Sequence, residues 1–366
     1  MNQSIAFRAD HVGSLLRPQM LKDAFRDVRA GRLDAAGYRD IQDAAIRAAI
    51  RMQEEVGLQS ITDGEFRRSG WFTGLVEAVE GITTATAKFG FEDEAGHREH
   101  WQAAYVNARL RRTRPIAVDE FAFVQASTGG TPKVTMPTPS VLHFFRGDDA
   151  VDRTVYPDLD IFWSDIVAIY RAEIDALAAA GCRYLQLDEV PCAMLCDHSV
   201  RLGVTAYGMD TDALLDTYIG AINAALATRP PSMTVAIHLC RGNFRGRWMA
   251  SGGYEPVAEK LFNELAVDRF FLEFDSERAG GFEPLRFMPR GKHVVLGLVS
   301  SKTPVLESIE SIARRVDEAS RFVPLDQLAI SPQCGFASSV AGNPLTADEE
   351  RAKLARVVEA ARAVWG

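Results

Sequence analysis

This 366-residue sequence lacks several features that would place it in a specialised class of protein. No apolar run approaches the roughly 18 residues that a membrane-spanning helix requires. There is no lysine- or arginine-rich run and the formal net charge is −8, so nucleic acid is a poor candidate partner. The first residues lack the basic start and apolar block of a secretory signal, and we therefore expect a cytoplasmic protein.

Cysteine is also scarce, with five residues in the chain. The odd number and irregular spacing exclude a disulfide framework, so reduced thiols are expected. Cys182 opens a predicted strand and is interpreted as a core residue. Cys192 and Cys196 are interpreted as small packing residues rather than as a second metal site. Cys240 and Cys334 differ from these because each one ends a predicted strand.

Apolar runs typical of β-strands alternate with helical patterns along the chain. The predicted strands are Ala9–Leu15, Ser60–Glu65, Lys133–Pro139, Arg183–Val190, Met233–Cys240, Arg269–Asp275, His293–Val299 and Leu328–Cys334. The helical patterns between them include Ala35–Val56, Asp160–Ala180, Asp212–Thr228, Pro256–Glu264, Thr303–Ala319 and Ala347–Trp365. This alternation predicts an α/β fold, a (β/α)8 TIM barrel formed as one domain by residues 1–366. An open, doubly wound sheet is the alternative.

The stretch between the second and third strands, Phe66 to Pro132, is too long for a simple crossover. Within it we predict a hairpin at Gly81–Phe91, a very polar segment at His97–Arg114 and a strand-like piece at Glu120–Gln125. The stretch has too few apolar residues for a core of its own. We therefore expect an insertion at about residues 76–130 that folds over one end of the barrel.

Candidate metal ligands fall at the ends of the predicted strands, where barrels place their active sites. His238 and Cys240 are two residues apart in a strand and project to the same face. Glu273 and Cys334 end two other strands, and Asp275 is an alternative to Glu273. A lone histidine or cysteine on a strand is more often a core residue, but these residues all lie at strand ends. The set predicts a tetrahedral zinc site.

Such a ligand set also indicates a class of reaction. Two thiolate ligands leave zinc with little Lewis acidity for generating hydroxide, and the site instead favours binding a substrate thiol as a thiolate. The bound sulfur remains nucleophilic at neutral pH. The predicted chemistry is therefore alkyl transfer to sulfur rather than hydrolysis.

Carboxylates at the other strand ends predict an acidic mouth that would recognise a positive group such as the ammonium of an amino acid. They are Asp10, Asp63, Glu65, Asp188 and Glu189. Alternatively, Asp63 and Asp188 cap loops or helices, and Glu65 forms a structural ion pair with a neighbouring arginine.

Two further groups near the strand ends have ambiguous roles. Arg241, Arg245 and Arg247 would bind a carboxylate or phosphate of a second substrate, or would neutralise the acidic mouth. Trp71 and Phe72 form either an aromatic wall of the site or ordinary packing.

Taken together, these motifs resemble the catalytic C-terminal half of cobalamin-independent methionine synthase, and most closely its short single-barrel relatives. The matching motifs are His11-Val12-Gly13-Ser14, Asp63-Gly64-Glu65, Leu185-Gln186-Leu187-Asp188-Glu189, His238-Leu239-Cys240, Glu273 and Pro332-Gln333-Cys334-Gly335. The resemblance implies zinc held by His238, Cys240, Glu273 and Cys334. It implies homocysteine bound near Val12, Gly13 and Ser14, with Glu65 and Asp188 on its amino group, and methyl transfer to the zinc-bound sulfur.

The sequence departs from the family at two points. The strand end where the family has a proton-donating histidine reads Gly297-Leu298-Val299-Ser300-Ser301-Lys302, and His11 is the candidate replacement. The N-terminal barrel of the family has no counterpart here. The donor therefore stays open between 5-methyltetrahydrofolate, a methyl corrinoid carrier protein and another small alkyl donor. The alternatives in function are a zinc-dependent epoxide:thiol transferase of the coenzyme M type, a C–S lyase, and a non-catalytic binding protein.

Overall fold

The computed structural model describes residues 7–92, 98–99 and 101–366. Its strands are β1 (Ser60–Ile61), β2 (Val79–Thr86), β3 (Phe91–Glu92), β4 (Arg98–Glu99), β5 (Gln102–Arg112), β6 (Thr131–Pro132), β7 (Val134–Pro137), β8 (Tyr184–Glu189), β9 (Thr234–Leu239), β10 (Arg269–Glu273), β11 (His293–Val299) and β12 (Leu328–Pro332). Its helices are α1 (Gln19–Arg29), α2 (Ala35–Glu55), α3 (Thr73–Ala78), α4 (Val118–Ser127), α5 (Leu159–Ala179), α6 (Pro191–Met194), α7 (His198–Ala206), α8 (Thr211–Leu226), α9 (Glu255–Glu264), α10 (Ile309–Ser320) and α11 (Ala347–Trp365). No helix in these ranges has the length and apolar character needed to cross a bilayer.

A parallel sheet forms the centre of this α/β fold. Strands β7 to β12 are hydrogen-bonded in chain order, and each pairs in parallel with its neighbour. Beyond β12, Ala9 forms a parallel bridge with Ile330. Next to β7 in the chain, β6 pairs in parallel with β1. A hydrogen bond from the Leu15 N–H to the Gly64 carbonyl (3.1 Å) links these two ends, so the pairings close into a ring.

Two apolar layers follow from the alternation of side chains along the strands. Side chains of one set meet inside the ring as a small separate cluster: Val12, Tyr184, Ala236, Phe271, Val295 and Ala329. The other set packs outward against the helices in the largest core cluster. Because both faces are covered, β8 and β9 are buried along their whole length.

The first two predicted strands are much shorter in the structure than the sequence pattern suggests. Ala9–Leu15 forms only the bridge at Ala9, and Ser60–Glu65 is reduced to β1. The cause is backbone geometry, because Gly13 has φ +130°, Gly64 has φ +68° and Glu65 has φ +62°. A Cβ on Gly13 would lie 2.7 Å from the Thr135 side chain, so this turn requires glycine.

Two predictions inside the long connection between β1 and β6 were wrong. The predicted hairpin at Gly81–Phe91 is not a local pair, because β2 pairs antiparallel with the distant β5 while β3 pairs with β4. The predicted strand at Glu120–Gln125 lies within α4. Acidic residues in the first turn of α4 favour a helix, and its buried Phe121 and Val124 have helical rather than alternating spacing. Residues 97 and 100 of the predicted polar segment lie outside the described residues.

Asp10 was predicted in the acidic mouth, but it lies at the opposite end of the ring. Its carboxylate accepts hydrogen bonds from Ser60 (2.6 Å), Lys133 (3.0 Å) and Tyr184 (2.6 Å), residues at or before the starts of their strands. Burial would raise the Asp10 pKa, but Lys133 and Arg269 outweigh it and hold the pKa well below its ordinary value. Asp10 is therefore a structural ion-pair residue.

We expect Asp10→Asn to destabilise the fold by about 3–5 kcal/mol, because it leaves the buried Lys133 ammonium without its carboxylate partner. Urea denaturation monitored by circular dichroism measures this change. The matched control is Asp23→Asn, which removes an exposed ion pair with Arg26 and should cost less than about 1 kcal/mol. Equal effects of the two substitutions would contradict the assignment.

A second prediction concerns Glu350, whose buried carboxyl accepts the Leu16 N–H at 2.8 Å. Burial raises its pKa from 4.5 to about 8. Between these two pH values the folded state binds more protons than the unfolded state, so stability falls as pH rises. Glu350→Gln keeps the acceptor and should flatten this fall in urea titrations from pH 5 to 8. The exposed Glu359→Gln should leave the slope unchanged.

Candidate functional site

Three potential metal ligands meet at the carboxyl ends of β9 and β12. His238 lies in β9, Cys240 directly follows it, and Cys334 follows β12. One ligand atom from each lies within 4.8 Å of the other two, and all three side chains are buried. The two sulfur atoms are 3.4 Å apart.

Electrostatics within this cluster favour a bound cation. The hydrogen bond with Cys240 and the neighbouring His238 lower the pKa of Cys334, whereas Cys334 raises the pKa of Cys240. Only one of two adjacent buried thiols therefore ionises readily unless a cation lies between them. Both ring nitrogens of His238 are buried without a conventional hydrogen-bond partner. One nitrogen and two sulfurs are a donor set that suits zinc.

Glu273, predicted as the fourth ligand, ends β10 beside this cluster but is not part of it. Its carboxylate accepts the Arg241 backbone N–H at 2.7 Å and pairs with the Arg278 guanidinium at 3.3 Å. Burial opposes ionisation of Glu273, but Arg278 and neighbouring cations outweigh it and lower the pKa. The alternative ligand Asp275 is half-buried, and one of its oxygens is a buried atom without a hydrogen-bond partner.

The three candidate ligands form one wall of a cavity of about 150 Å³. Val12 and Ser14 line it from the first turn of the chain, Glu65 lines it from the turn after β1, and Asp188 lines it from β8. The remaining lining includes five aromatic residues, Trp71, Phe72, Phe91, Trp101 and Phe244. The cavity therefore combines sulfur and imidazole donors, two carboxylates and an apolar surface.

Glu65 and Asp188 are buried carboxylates whose negative charge would be stabilised by an additional cation. One Glu65 oxygen accepts the Thr135 hydroxyl (2.9 Å), but the other has no hydrogen-bond partner. Asp188 accepts the Gln186 amide at 2.8 Å. Burial raises the pKa of both, and the Glu65 charge contributes to raising the Asp188 pKa to about 7. A ligand that brings an ammonium group between them would relieve this cost.

A buried arginine scaffold holds Glu65 in its unfavourable backbone conformation. Arg17 donates hydrogen bonds to the carbonyls of Glu65 (2.8 Å) and Arg68 (3.0 Å). The Arg68 guanidinium is paired with Glu120 at 2.7 Å and lies 4.0 Å from the Glu65 carboxylate. The positive φ of Glu65 is thus fixed by its surroundings, a feature that is typical of functional sites.

Other predicted site residues lie away from the cavity. His11 is buried with its Nε2 3.1 Å from the Ser60 carbonyl, and burial lowers its pKa to about 4. Arg241 stacks on Tyr254, with 4.0 Å between guanidinium carbon and ring centre, so it does not offer its charge to the cavity. Glu189 accepts hydrogen bonds from Ser140 and the Cys192 N–H, and is a structural acceptor.

Gly13 shapes the turn between Val12 and Ser14, and Asp63 accepts the Glu65 N–H at 2.8 Å, which matches the capping alternative. Arg245 and Arg247 border a separate and more open recess. That recess also contains Arg278 and Lys302.

Sequence reasoning missed three of the aromatic residues, Phe91, Trp101 and Phe244. A sequence signal was present for Trp101, a tryptophan that directly follows the polar run His97-Arg98-Glu99-His100. Trp71 and Phe72, left open between wall and packing, both line the cavity and also pack against the core.

Known proteins match this chain over nearly its whole length. Residues 7–363 match the family model described as cobalamin-independent synthase, catalytic domain. The chain is 42% identical to the uncharacterized protein YxjH of Bacillus subtilis, over 98% of this chain and 95% of that protein. It is 24% identical to a 5-methyltetrahydropteroyltriglutamate–homocysteine methyltransferase of Photobacterium profundum, over 96% of this chain but 42% of that longer protein.

Solved structures show the same relationship. A Listeria monocytogenes protein, provisionally described as a vitamin-B12 independent methionine synthase, is 34% identical, with a TM-score of 0.78 and complete coverage of both chains. A B12-independent methionine synthase from a Shewanella species, solved with selenomethionine, shares the fold at 21% identity, with a TM-score of 0.77 and 98% coverage of each chain. This chain belongs to the cobalamin-independent methionine synthase family, whose catalytic domain it matches over nearly its whole length.

Proposed function

We propose that this protein is a zinc-dependent S-methyltransferase that transfers a methyl group to the thiol of homocysteine and so forms methionine. The observation that carries the proposal is the meeting of His238, Cys240 and Cys334 in the wall of a cavity that also holds two carboxylates. Glu273 is proposed as a fourth ligand, which would exchange its contact with Arg278 for the metal. Family membership supports methyl transfer to homocysteine.

Different side chains of the cavity would contact different groups of the substrate. Zinc, when bound, would lower the pKa of an incoming thiol and hold its sulfur as a nucleophilic thiolate. Glu65 and Asp188 would accept hydrogen bonds from the substrate ammonium, which neutralises two buried carboxylates. Ser14 and the turn at Val12 and Gly13 would position the rest of the amino acid. The aromatic wall would exclude water from the sulfur.

We also propose that residues 1–366 act as one zinc-binding barrel domain, with residues at about 76–130 as an insertion that closes its mouth. The position of Phe91 and Trp101 in the cavity wall supports this role. The epoxide:thiol alternative depended partly on arginines beside the site. Arg245 and Arg247 border the separate recess and not the cavity, so they give this alternative no support.

We expect the purified protein to hold about one zinc ion per chain, because the donors converge before any metal is added. Cys240→Ser and Cys334→Ser should each reduce zinc content to below about a fifth of this level by mass spectrometry of the metal. Cys182→Ser is the matched control, since Cys182 is buried at the start of a strand, and it should keep its zinc. Zinc retained in both ligand variants would contradict the site.

Homocysteine binding tests the role of the two carboxylates. Asp188→Asn and Glu65→Gln should each weaken homocysteine binding to the zinc-loaded protein by about tenfold to a hundredfold, because a charged hydrogen bond is lost. Isothermal titration calorimetry measures the affinity. The control ligand is 4-mercaptobutyrate, which lacks the amino group and should bind the variants and the parent protein equally. An equal loss for both ligands would refute ammonium recognition.

Methyl transfer itself is tested by turnover. Zinc-loaded protein is incubated with homocysteine and a donor carrying a deuterated methyl group, and methionine is detected by mass spectrometry. We expect labelled methionine with the parent protein and at least a hundredfold less with Cys240→Ser, which lacks a ligand. If calorimetry shows that homocysteine binds equally well to the parent protein and to Cys240→Ser, the proposed function is overturned.

A further inference from the structure

The aromatic wall of the cavity is a continuous surface rather than a set of isolated rings. The ring centres of Phe91 and Phe244 are 5.2 Å apart, and Trp101 lies 5.9 Å from both Phe91 and Phe72. Trp71 extends the surface, at 5.5 Å from Phe72. The carboxylates of Glu65 and Asp188 lie in the same lining.

The charge of this cavity selects against an anionic partner. Among the described residues that line it, none is lysine or arginine, whereas two are carboxylates. A divalent metal held by two thiolates and a neutral imidazole adds no net positive charge. The faces of aromatic rings attract cations, and the attraction is strongest where water is excluded. A cationic centre is therefore the group that this lining would bind best.

The available space favours a small group. The cavity measures about 150 Å³. An apolar cavity of about this size in another protein accommodates benzene. Because homocysteine has to occupy part of the same cavity, only the methylated centre of a donor has room beside the thiol, and the rest of a larger donor would lie outside the lining.

The described residues of the lining agree with a donor that needs no proton. Among them, Glu65 and Asp188 are assigned to the substrate ammonium and His238 to the metal, and His11 lies beside Ser60 outside the lining. When a thiolate attacks a methyl group on a positively charged sulfur or nitrogen, the new bond is S–CH3. The broken C–S or C–N bond leaves its electron pair on the departing atom, which becomes a neutral thioether or tertiary amine. No proton has to be supplied.

We propose that the methyl donor is a small onium compound, a sulfonium or a quaternary ammonium, whose charged centre binds against the rings of Phe91, Trp101 and Phe244. This rests on the proposed function, because the acceptor is the thiol bound at the metal cluster. The donor site would thus be part of the same cavity, opposite the carboxylates that hold the acceptor.

Binding is measured separately from turnover. Calorimetric titrations compare choline with 3,3-dimethylbutan-1-ol, its uncharged isostere, on zinc-loaded and zinc-free protein. We expect choline to bind at least tenfold more tightly than the alcohol. Trp101→Leu and Phe244→Leu should remove this preference for choline over the alcohol. Trp163→Leu, which alters an aromatic cluster outside the cavity, should have no effect. Equal binding of choline and the alcohol to the parent protein would overturn the proposal.

Turnover distinguishes the possible sources of the onium group. Homocysteine is supplied with S-methylmethionine, glycine betaine or 5-methyltetrahydrofolate, each labelled on the methyl group. Labelled methionine from either onium compound and none from the folate supports the proposal and names the donor class. Labelled methionine from the folate alone overturns the donor proposal but keeps the proposed function. No methionine from any donor, with homocysteine binding unaffected by Cys240→Ser, overturns the proposed function as well.

Discussion

Two buried thiols whose sulfur atoms are 3.4 Å apart impose the constraint on which the site depends. Strands β9 and β12 are not neighbours, because β10 and β11 lie between them. In a flat sheet, strands three positions apart would be separated by about 14 Å. The short distance between Cys240 and Cys334 therefore requires the sheet to curve round and close. The closure of the ring therefore also brings the ligands of the candidate cation site together.

The two ends of the ring differ in how completely a buried carboxylate is balanced by its partners. At the starts of the strands, Asp10 has three hydrogen-bonding partners, and its charge is balanced by Lys133. At the carboxyl ends, Glu65 and His238 keep buried polar atoms without hydrogen-bond partners. Buried polar atoms in folded proteins are normally satisfied, and the unpartnered carboxylate oxygen of Glu65 lies in the cavity lining, so it marks a place where a ligand belongs. The scaffold of Arg17 and Arg68 holds this carboxylate in place without neutralising it fully.

Much of the fold and of the metal cluster could be predicted because both depend on local patterns. Continuous apolar runs predicted β8 to β12 closely, and the two-residue spacing of His238 and Cys240 indicated a shared face. The direction of longer side chains could not be predicted, since it depends on partners far away in sequence. Arg241 follows the His-x-Cys pair but stacks on Tyr254, and Asp10 precedes a glycine turn but reaches Lys133. Phe91, Trp101 and Phe244 were missed because these rings come from segments that the sequence pattern does not pair.

The charges of the lining residues also distinguish two neighbouring spaces, the open recess and the enclosed cavity, which the amino-acid composition alone would not separate. Arg245, Arg247 and Lys302 face the open recess, whereas the enclosed cavity beside Cys240 is lined by aromatic rings and carboxylates. Lys302 lies close to the division between the two spaces, with its ammonium 3.4 Å from the Gly242 carbonyl. An anionic group would therefore gain by staying in the recess, and a cationic one by entering the cavity. Under the proposed function the thiol reacts inside the cavity, so the inner lining would decide the charge of the group that delivers the methyl, even though arginines dominate the nearby sequence.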